Sequence, residues 1–185
     1  MTDSIIHPES CRCCADLLRD RFDRRRFLQV AGSAGLLAAL GAPALAATGH
    51  YEAMVLCCID PRFPEPVRAY TNRRGLTGQF SQFVFAGAAI GVVAPTFADW
   101  HKAFWDNLAT SMELHNIPKV IAINHRECGA AKIAYGDAKV ANAAIETETH
   151  KAALAEFRKQ VAQRQPKLAV ETHLMALDGS VETFT

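Results

Sequence analysis

With 185 residues, half of them hydrophobic, the chain is long enough for one domain with an ordinary core. Its 20 basic and 19 acidic side chains nearly cancel, which argues against a nucleic-acid or other polyanionic partner. No repeat of solenoid period and no low-complexity stretch is visible, so repeat architectures drop out as well.

Residues 1–47 read as an export leader rather than as fold. Asp23-Arg24-Arg25-Arg26-Phe27-Leu28-Gln29 sets an arginine pair before Phe-Leu. A weakly hydrophobic, Gly/Ala-rich stretch follows from Val30 to Leu40, and Ala44-Leu45-Ala46 offers a small-x-small cleavage site. This is the layout of a twin-arginine signal peptide. The apolar run falls short of the ~20 residues that a membrane span needs. A periplasmic protein that meets the membrane only transiently, during export, is therefore expected. From residue 47 onward basic and acidic side chains number fourteen each, so the mature domain is close to neutral. Cys11, Cys13 and Cys14 lie in the leader, which has no apolar pattern on which to build a site. Cys57, Cys58 and Cys128 remain, an odd number that argues against a disulfide framework.

Residues 48–185 are expected to form a single α/β domain. Ala53 to Cys58 is a short apolar run, read as a buried strand that stops at Asp60-Pro61. Pro64-Glu65-Pro66 opens a helix through about Thr71. Gln79 to Phe85 reads as a second strand, and Gly87-Ala88-Ala89-Ile90-Gly91 as a tight, small-residue turn. Thr96 to His115 is the clearest helix, with Phe97, Trp100, Phe104, Leu108 and Met112 on one apolar face. Lys119 to Asn124 is a third strand that delivers His125 at its carboxyl end. Gly129 to Tyr135 starts a short helix, and Ala141 to Gln163 forms a long one that is polar on one face. Leu168 to Leu177 reads as the last strand, turned at Asp178-Gly179. Strands alternating with helices predict a mainly parallel β-sheet flanked by helices. In such sheets ligands gather beyond the carboxyl ends of the strands, where both Cys58 and His125 lie.

Cys58 in Cys58-Ile59-Asp60-Pro61-Arg62, with His125 and Cys128 in His125-Arg126-Glu127-Cys128-Gly129, forms a split trio of metal-type residues. Two cysteines and one histidine leave a tetrahedral zinc ion one open position. Catalytic zinc sites keep such a position, whereas structural ones usually close it. Zn2+ is accordingly the expected cofactor. Cys57 is the alternative ligand, but side chains alternate along a strand, so it is expected to face away as a small core residue.

On these two motifs the chain resembles the β-class carbonic anhydrases, over roughly Ala53 to Val181. The resemblance implies that Cys58, His125 and Cys128 bind zinc. It implies that Asp60 accepts a hydrogen bond from the zinc-bound water, or binds the zinc itself in a closed form, and that Arg62 holds Asp60 ionised. The reaction implied is reversible hydration of carbon dioxide to bicarbonate by zinc-bound hydroxide. A homodimer or higher homo-oligomer is also implied, because sites of this family are commonly completed at a subunit interface. The chain departs from the pattern in one place: Phe83 to Ala89 lacks the Arg-Asn pair common there. Phe83, Phe85 and Ala88 are candidate pocket walls, with ordinary core as the competing role for the phenylalanines. His50, His101, His115, His150 and His173 are each read as surface residues.

Three other functions fit parts of this pattern. One is a hydrolase of carbonyl sulfide or carbon disulfide on the same scaffold. Another is a non-catalytic zinc-binding protein, and the third is a thiol redox protein using Cys57-Cys58. The absence of a Cys-x-x-Cys motif from residue 47 onward weighs against the last.

Overall fold

The computed structural model describes residues 49–185. The leader assigned to residues 1–47, with its three cysteines and its cleavage site, lies outside the described residues. Among the described residues no helix is long and apolar enough to cross a membrane.

A five-stranded sheet forms the centre, in the order β2-β1-β3-β4-β5. Its strands are β1 (Ala53–Cys57), β2 (Phe80–Val84), β3 (Lys119–His125), β4 (Ala169–Met175) and β5 (Val181–Phe184). The first four run parallel, and β5 pairs antiparallel with β4. The helices are α1 (Pro64–Arg73), α2 (Ala89–Val93), α3 (Ala98–His115), α4 (Gly129–Tyr135) and α5 (Ala143–Arg164). The mainly parallel α/β architecture read from the sequence is therefore the one observed.

Three local expectations are corrected. The segment read as a tight turn, Gly87 to Gly91, becomes α2 from Ala89 onward, because its small apolar side chains pack a helical turn into the core. The last strand is shorter than Leu168 to Leu177, and β5 follows it unannounced. Four residues at the edge of a sheet, Val181-Glu182-Thr183-Phe184, carry too short a pattern to read. Trp100, assigned to the buried face of α3, is 41% exposed and stacks on Phe97 at the rim, with ring centroids 4.5 Å apart.

β1 and the interior of β3 are buried throughout, which is why both read as unbroken apolar runs. Val55, Cys57, Ile121 and Ile123 pack with Phe63, Val67 and Tyr70 in one core layer. Met54, Leu56, Val120 and Ala122 pack with Phe104, Leu108, Leu154 and Phe157 in the other. Each such Leu or Phe contributes roughly 1.5–3 kcal/mol by leaving water. Phe83 and Phe85 join the second layer, their rings 5.8 and 6.5 Å from that of Phe104. Ala88 is fully buried in the same layer. Ala88 is core, and Phe83 and Phe85 pack half-buried against it.

Candidate metal centre

β1 stops at Cys57, and Cys58 is the first residue beyond it. Ile59 points outward and is 60% exposed. Phe63 then donates its N–H to the Asp60 carbonyl at 2.9 Å, closing a turn before Pro64 opens α1. This turn returns Phe63 under the site, where its ring lies 4.7 Å from that of His125.

His125 is the last residue of β3 and is fully buried. Its Nδ1 donates to the Arg126 carbonyl at 2.8 Å, which leaves the lone pair on Nε2. Nε2 is buried and has no hydrogen-bond partner. Cys128 caps the start of α4 and is also buried. The ligand atoms of Cys58, His125 and Cys128 all lie within 4.8 Å of one another. A buried ring nitrogen with a free lone pair costs free energy unless something satisfies it. Two thiol sulfurs beside it complete a donor set suited to zinc, so the residues fit the metal that the sequence implied.

Electrostatics favour the same reading. The Cys58 thiol is held well below the ordinary thiol range, first by the hydrogen bond from Cys128. His125 and the N–H groups of Gly87 and Asp60 add to this and outweigh the opposing effect of burial. Cys128, as the donor of that pair, is pushed up. Within this pair the hydrogen bond favours the thiolate at Cys58, the form in which cysteine binds metal. Cys57 does not join the trio. It is buried in the core, its sulfur 3.5 Å from Gln82 Nε2, and all three cysteines of the described residues are free.

Asp60 and Arg62 are locked together beside the trio. Asp60 Oδ1 accepts from the backbone N and the Nε of Arg62 at 2.9 and 3.0 Å, and Oδ2 accepts from Nη2 at 2.8 Å. This fork holds the Asp60 carboxyl well below the usual carboxylate range. Its Oδ2 sits 4.0 Å from His125 Nε2.

Several neighbours were not singled out from the sequence. Gly87 donates its N–H to Cys58 Sγ at 3.3 Å. Glu127 receives Arg62 Nη1 on Oε2 at 3.0 Å and Nη2 on its carbonyl at 3.3 Å. Asn124 Oδ1 accepts the Ala89 N–H at 3.0 Å, and its amide nitrogen meets His150 Nδ1 at 3.0 Å. His150 and His173, expected at the surface, are buried instead, 0% and 4% exposed. A stripe counted backward along α5 from Phe157, Leu154 and Ala153 passes through His150 and Glu146, so periodicity held that signal.

Comparison with known proteins places the chain beside two Rickettsia proteins. It is 32% identical over 129 residues to an uncharacterized protein of Rickettsia bellii, covering 70% of this chain and 79% of that one. It is 33% identical over 129 residues to an uncharacterized protein of Rickettsia conorii, covering 70% and 69% respectively. No protein-family model matches. Among solved structures, the β-carbonic anhydrase CcaA superposes with a TM-score of 0.52 at 13% identity, covering 94% of each chain. The β-carbonic anhydrase CafA of Aspergillus fumigatus gives 0.50 at 15% identity, covering 94% of this chain and 90% of that one. The Coccomyxa β-carbonic anhydrase, solved in complex with acetazolamide, gives 0.50 at 13% identity, covering 86% and 83%. At these identities the likeness shows the fold.

Proposed function

We infer that this chain, which belongs to one family with the two Rickettsia proteins, is a zinc-dependent carbonic anhydrase of β type. The observation that carries the reading is the convergence of Cys58, His125 and Cys128 within 4.8 Å, beside an Asp60 already locked by Arg62. A purely structural zinc site needs neither Asp60 nor Arg62, and it usually takes a fourth protein ligand.

Cys58, His125 and Cys128 would hold zinc, which would supply a Lewis acid bringing the pKa of water to ~7 and so make hydroxide available at neutral pH. The chain does the rest. Asp60 offers an ionised acceptor 4.0 Å from the histidine ligand atom. An attacking oxygen that donates a hydrogen bond to Asp60, which stays ionised, would be held with a lone pair turned toward carbon dioxide. Arg62 places two N–H groups on Oδ1 and one on Oδ2, which keeps the carboxylate charged and fixed in direction and leaves Oδ2 one acceptor site. Water and carbon dioxide then yield bicarbonate and one proton, which passes to buffer.

Export and assembly belong to the same proposal. The arginine pair at Arg24-Arg25 supports delivery to the periplasm by the twin-arginine route. Ile59 and Ile133, 60% and 68% exposed on the segments that follow Cys58 and Cys128, support a homo-oligomer that covers them.

The test is stopped-flow carbon dioxide hydration with zinc quantified in the same sample and Asp60→Ala as control. Activity with about one zinc per chain, lost in the control, is the expected result. Acetazolamide, the ligand of the Coccomyxa enzyme, is expected to inhibit it. Bound zinc without hydration would refute the assignment, and sulfide release from carbonyl sulfide would replace it.

A further inference from the structure

Glu146 is only 7% exposed, on the face of α5 that meets the metal-binding turn. Its Oε1 accepts the backbone N–H of Glu127 at 2.5 Å, and its Oε2 lies 3.4 Å from Arg126 Nη1. Glu127 sits between the ligands His125 and Cys128 with φ of 58°, a left-handed conformation that L side chains rarely adopt. Such a conformation persists when its surroundings hold it. The Glu127 side chain itself is exposed. The turn opens on a cavity of about 420 Å³ lined by Arg126, Glu127, Cys128, Gly129 and Glu146. Glu146 itself is backed by His150, whose Nε2 lies 3.9 Å from Oε1. Asn124 fixes the other ring nitrogen of His150, and the Ala89 N–H fixes Asn124.

The chain of contacts continues outward. Glu127 receives Arg62 on both its side chain and its carbonyl, and Arg62 grips Asp60. We propose that Glu146 is a positioning residue of the metal centre. By gripping the Glu127 N–H it holds the turn that carries His125 and Cys128, and through Glu127 it sets where Arg62 holds Asp60. The part that concerns Arg62 and Asp60 rests on the hydratase reading; the part that concerns the ligand turn rests on metal binding alone.

The full-length, zinc-loaded chain is compared with Glu146→Ala, Glu146→Gln and Arg62→Ala, alone and combined. Two quantities are read: the rate of zinc transfer to a chelator, and kcat and KM for carbon dioxide. Glu146→Ala is expected to release zinc roughly 10–100-fold faster and to lose a similar factor in kcat, with KM little changed. Glu146→Gln keeps an acceptor oxygen for Glu127 and is expected to recover most of both. In the Arg62→Ala background, Glu146→Ala is expected to lower kcat little further, because both act on Asp60.

Glu146→Ala with wild-type zinc release and kcat overturns the proposal. So does Glu146→Gln that is no better than Glu146→Ala, which would mark a general structural role. If Glu146→Ala does not fold, Glu146→Asp decides by the same readouts, since its shorter side chain withdraws from Glu127. A wild-type chain that binds zinc but hydrates nothing removes the hydratase reading, and zinc release then decides the role of Glu146 alone. A wild-type chain that takes up no zinc overturns both.

Discussion

Gly87 donates its backbone N–H to the sulfur of Cys58 at 3.3 Å, from a position that strongly favours glycine. Its φ is +80°, and an added Cβ would sit 3.0 Å from Ala130 Cβ, 3.2 Å from Ile90 Cβ and 3.3 Å from Gly91 N. The donated N–H stabilises thiolate over thiol at Cys58, so the turn serves the metal as well as the fold. Gly87→Ala is expected to lower unfolding free energy by about 1–3 kcal/mol. It is also expected to speed zinc loss to a chelator. Urea unfolding of the zinc-loaded protein, read beside the chelator assay, checks both. An unchanged midpoint would show that the turn relaxes at no cost.

Arg62 is expected to matter for turnover and not for metal retention. It touches Asp60 and Glu127 but is not among the three donors. Arg62→Lys removes the planar fork while keeping a charge and the backbone N–H bond, and a single ammonium cannot reproduce the two guanidinium bonds that span both Asp60 oxygens. kcat/KM should fall by roughly 10–100-fold with zinc content unchanged. Metal analysis and stopped-flow hydration on one sample separate the two effects. Loss of zinc in this variant would mean that Asp60 and Arg62 build the binding site rather than act beside it.

Much of this site was readable from the sequence, for a physical reason. Cys58 and His125 each follow an apolar run, and in a parallel sheet the carboxyl ends of neighbouring strands converge; β1 and β3 are indeed paired. Asp60 and Arg62 were found by their closeness to Cys58 in sequence. Glu146, His150 and Asn124 were not found, because polar letters in a helix or at a strand end read as solvent-facing. Here they occupy buried stripe positions and satisfy one another. Glu127 was missed because a left-handed backbone at a non-glycine residue leaves no mark in the sequence. α2 was read as a turn because Ala, Ile, Gly and Val over five residues give neither caps nor polar periodicity.

Substitutions at two of the buried cysteines should behave oppositely. Cys128→Ser removes a donor of the trio, whereas Cys57→Ser alters a core position whose sulfur meets only Gln82. Metal that binds the folded chain stabilises it by RT ln(1 + [Zn]/Kd), about 2.7 kcal/mol at a hundredfold excess over Kd. Adding zinc should therefore raise the melting temperature of the wild type and of Cys57→Ser by a similar increment. Cys128→Ser should show almost none. Cys57→Ser carries its own cost of about 1–3 kcal/mol for a buried hydroxyl, present with and without metal. Abolition of the zinc increment by Cys57→Ser would return Cys57 to the ligand set or to redox chemistry.

Acid should weaken the fold through His150 before it protonates ordinary carboxylates. Burial, then the nearby His125 and Arg126, lowers the pKa of His150 from its usual 6.5 to about 4. The ring is fully buried, and its Nδ1 accepts from Asn124, so charging it has no compensating partner at hydrogen-bond distance. The unfolded chain binds this proton first, so stability falls as pH drops from about 6.5 to about 4 and then levels off. A shift of that size corresponds to about 3 kcal/mol across the window. His150→Met keeps an apolar side chain of similar bulk and cannot titrate. It leaves the Asn124 amide short of one acceptor at every pH, a constant cost of about 1–3 kcal/mol. The unfolding free energies of wild type and His150→Met should therefore converge as pH falls from 6.5 to 4, even though both lose metal over that range. Parallel curves would show that His150 is already solvated in the folded chain, and that the Asn124–His150 pair does not exclude water behind the ligand turn.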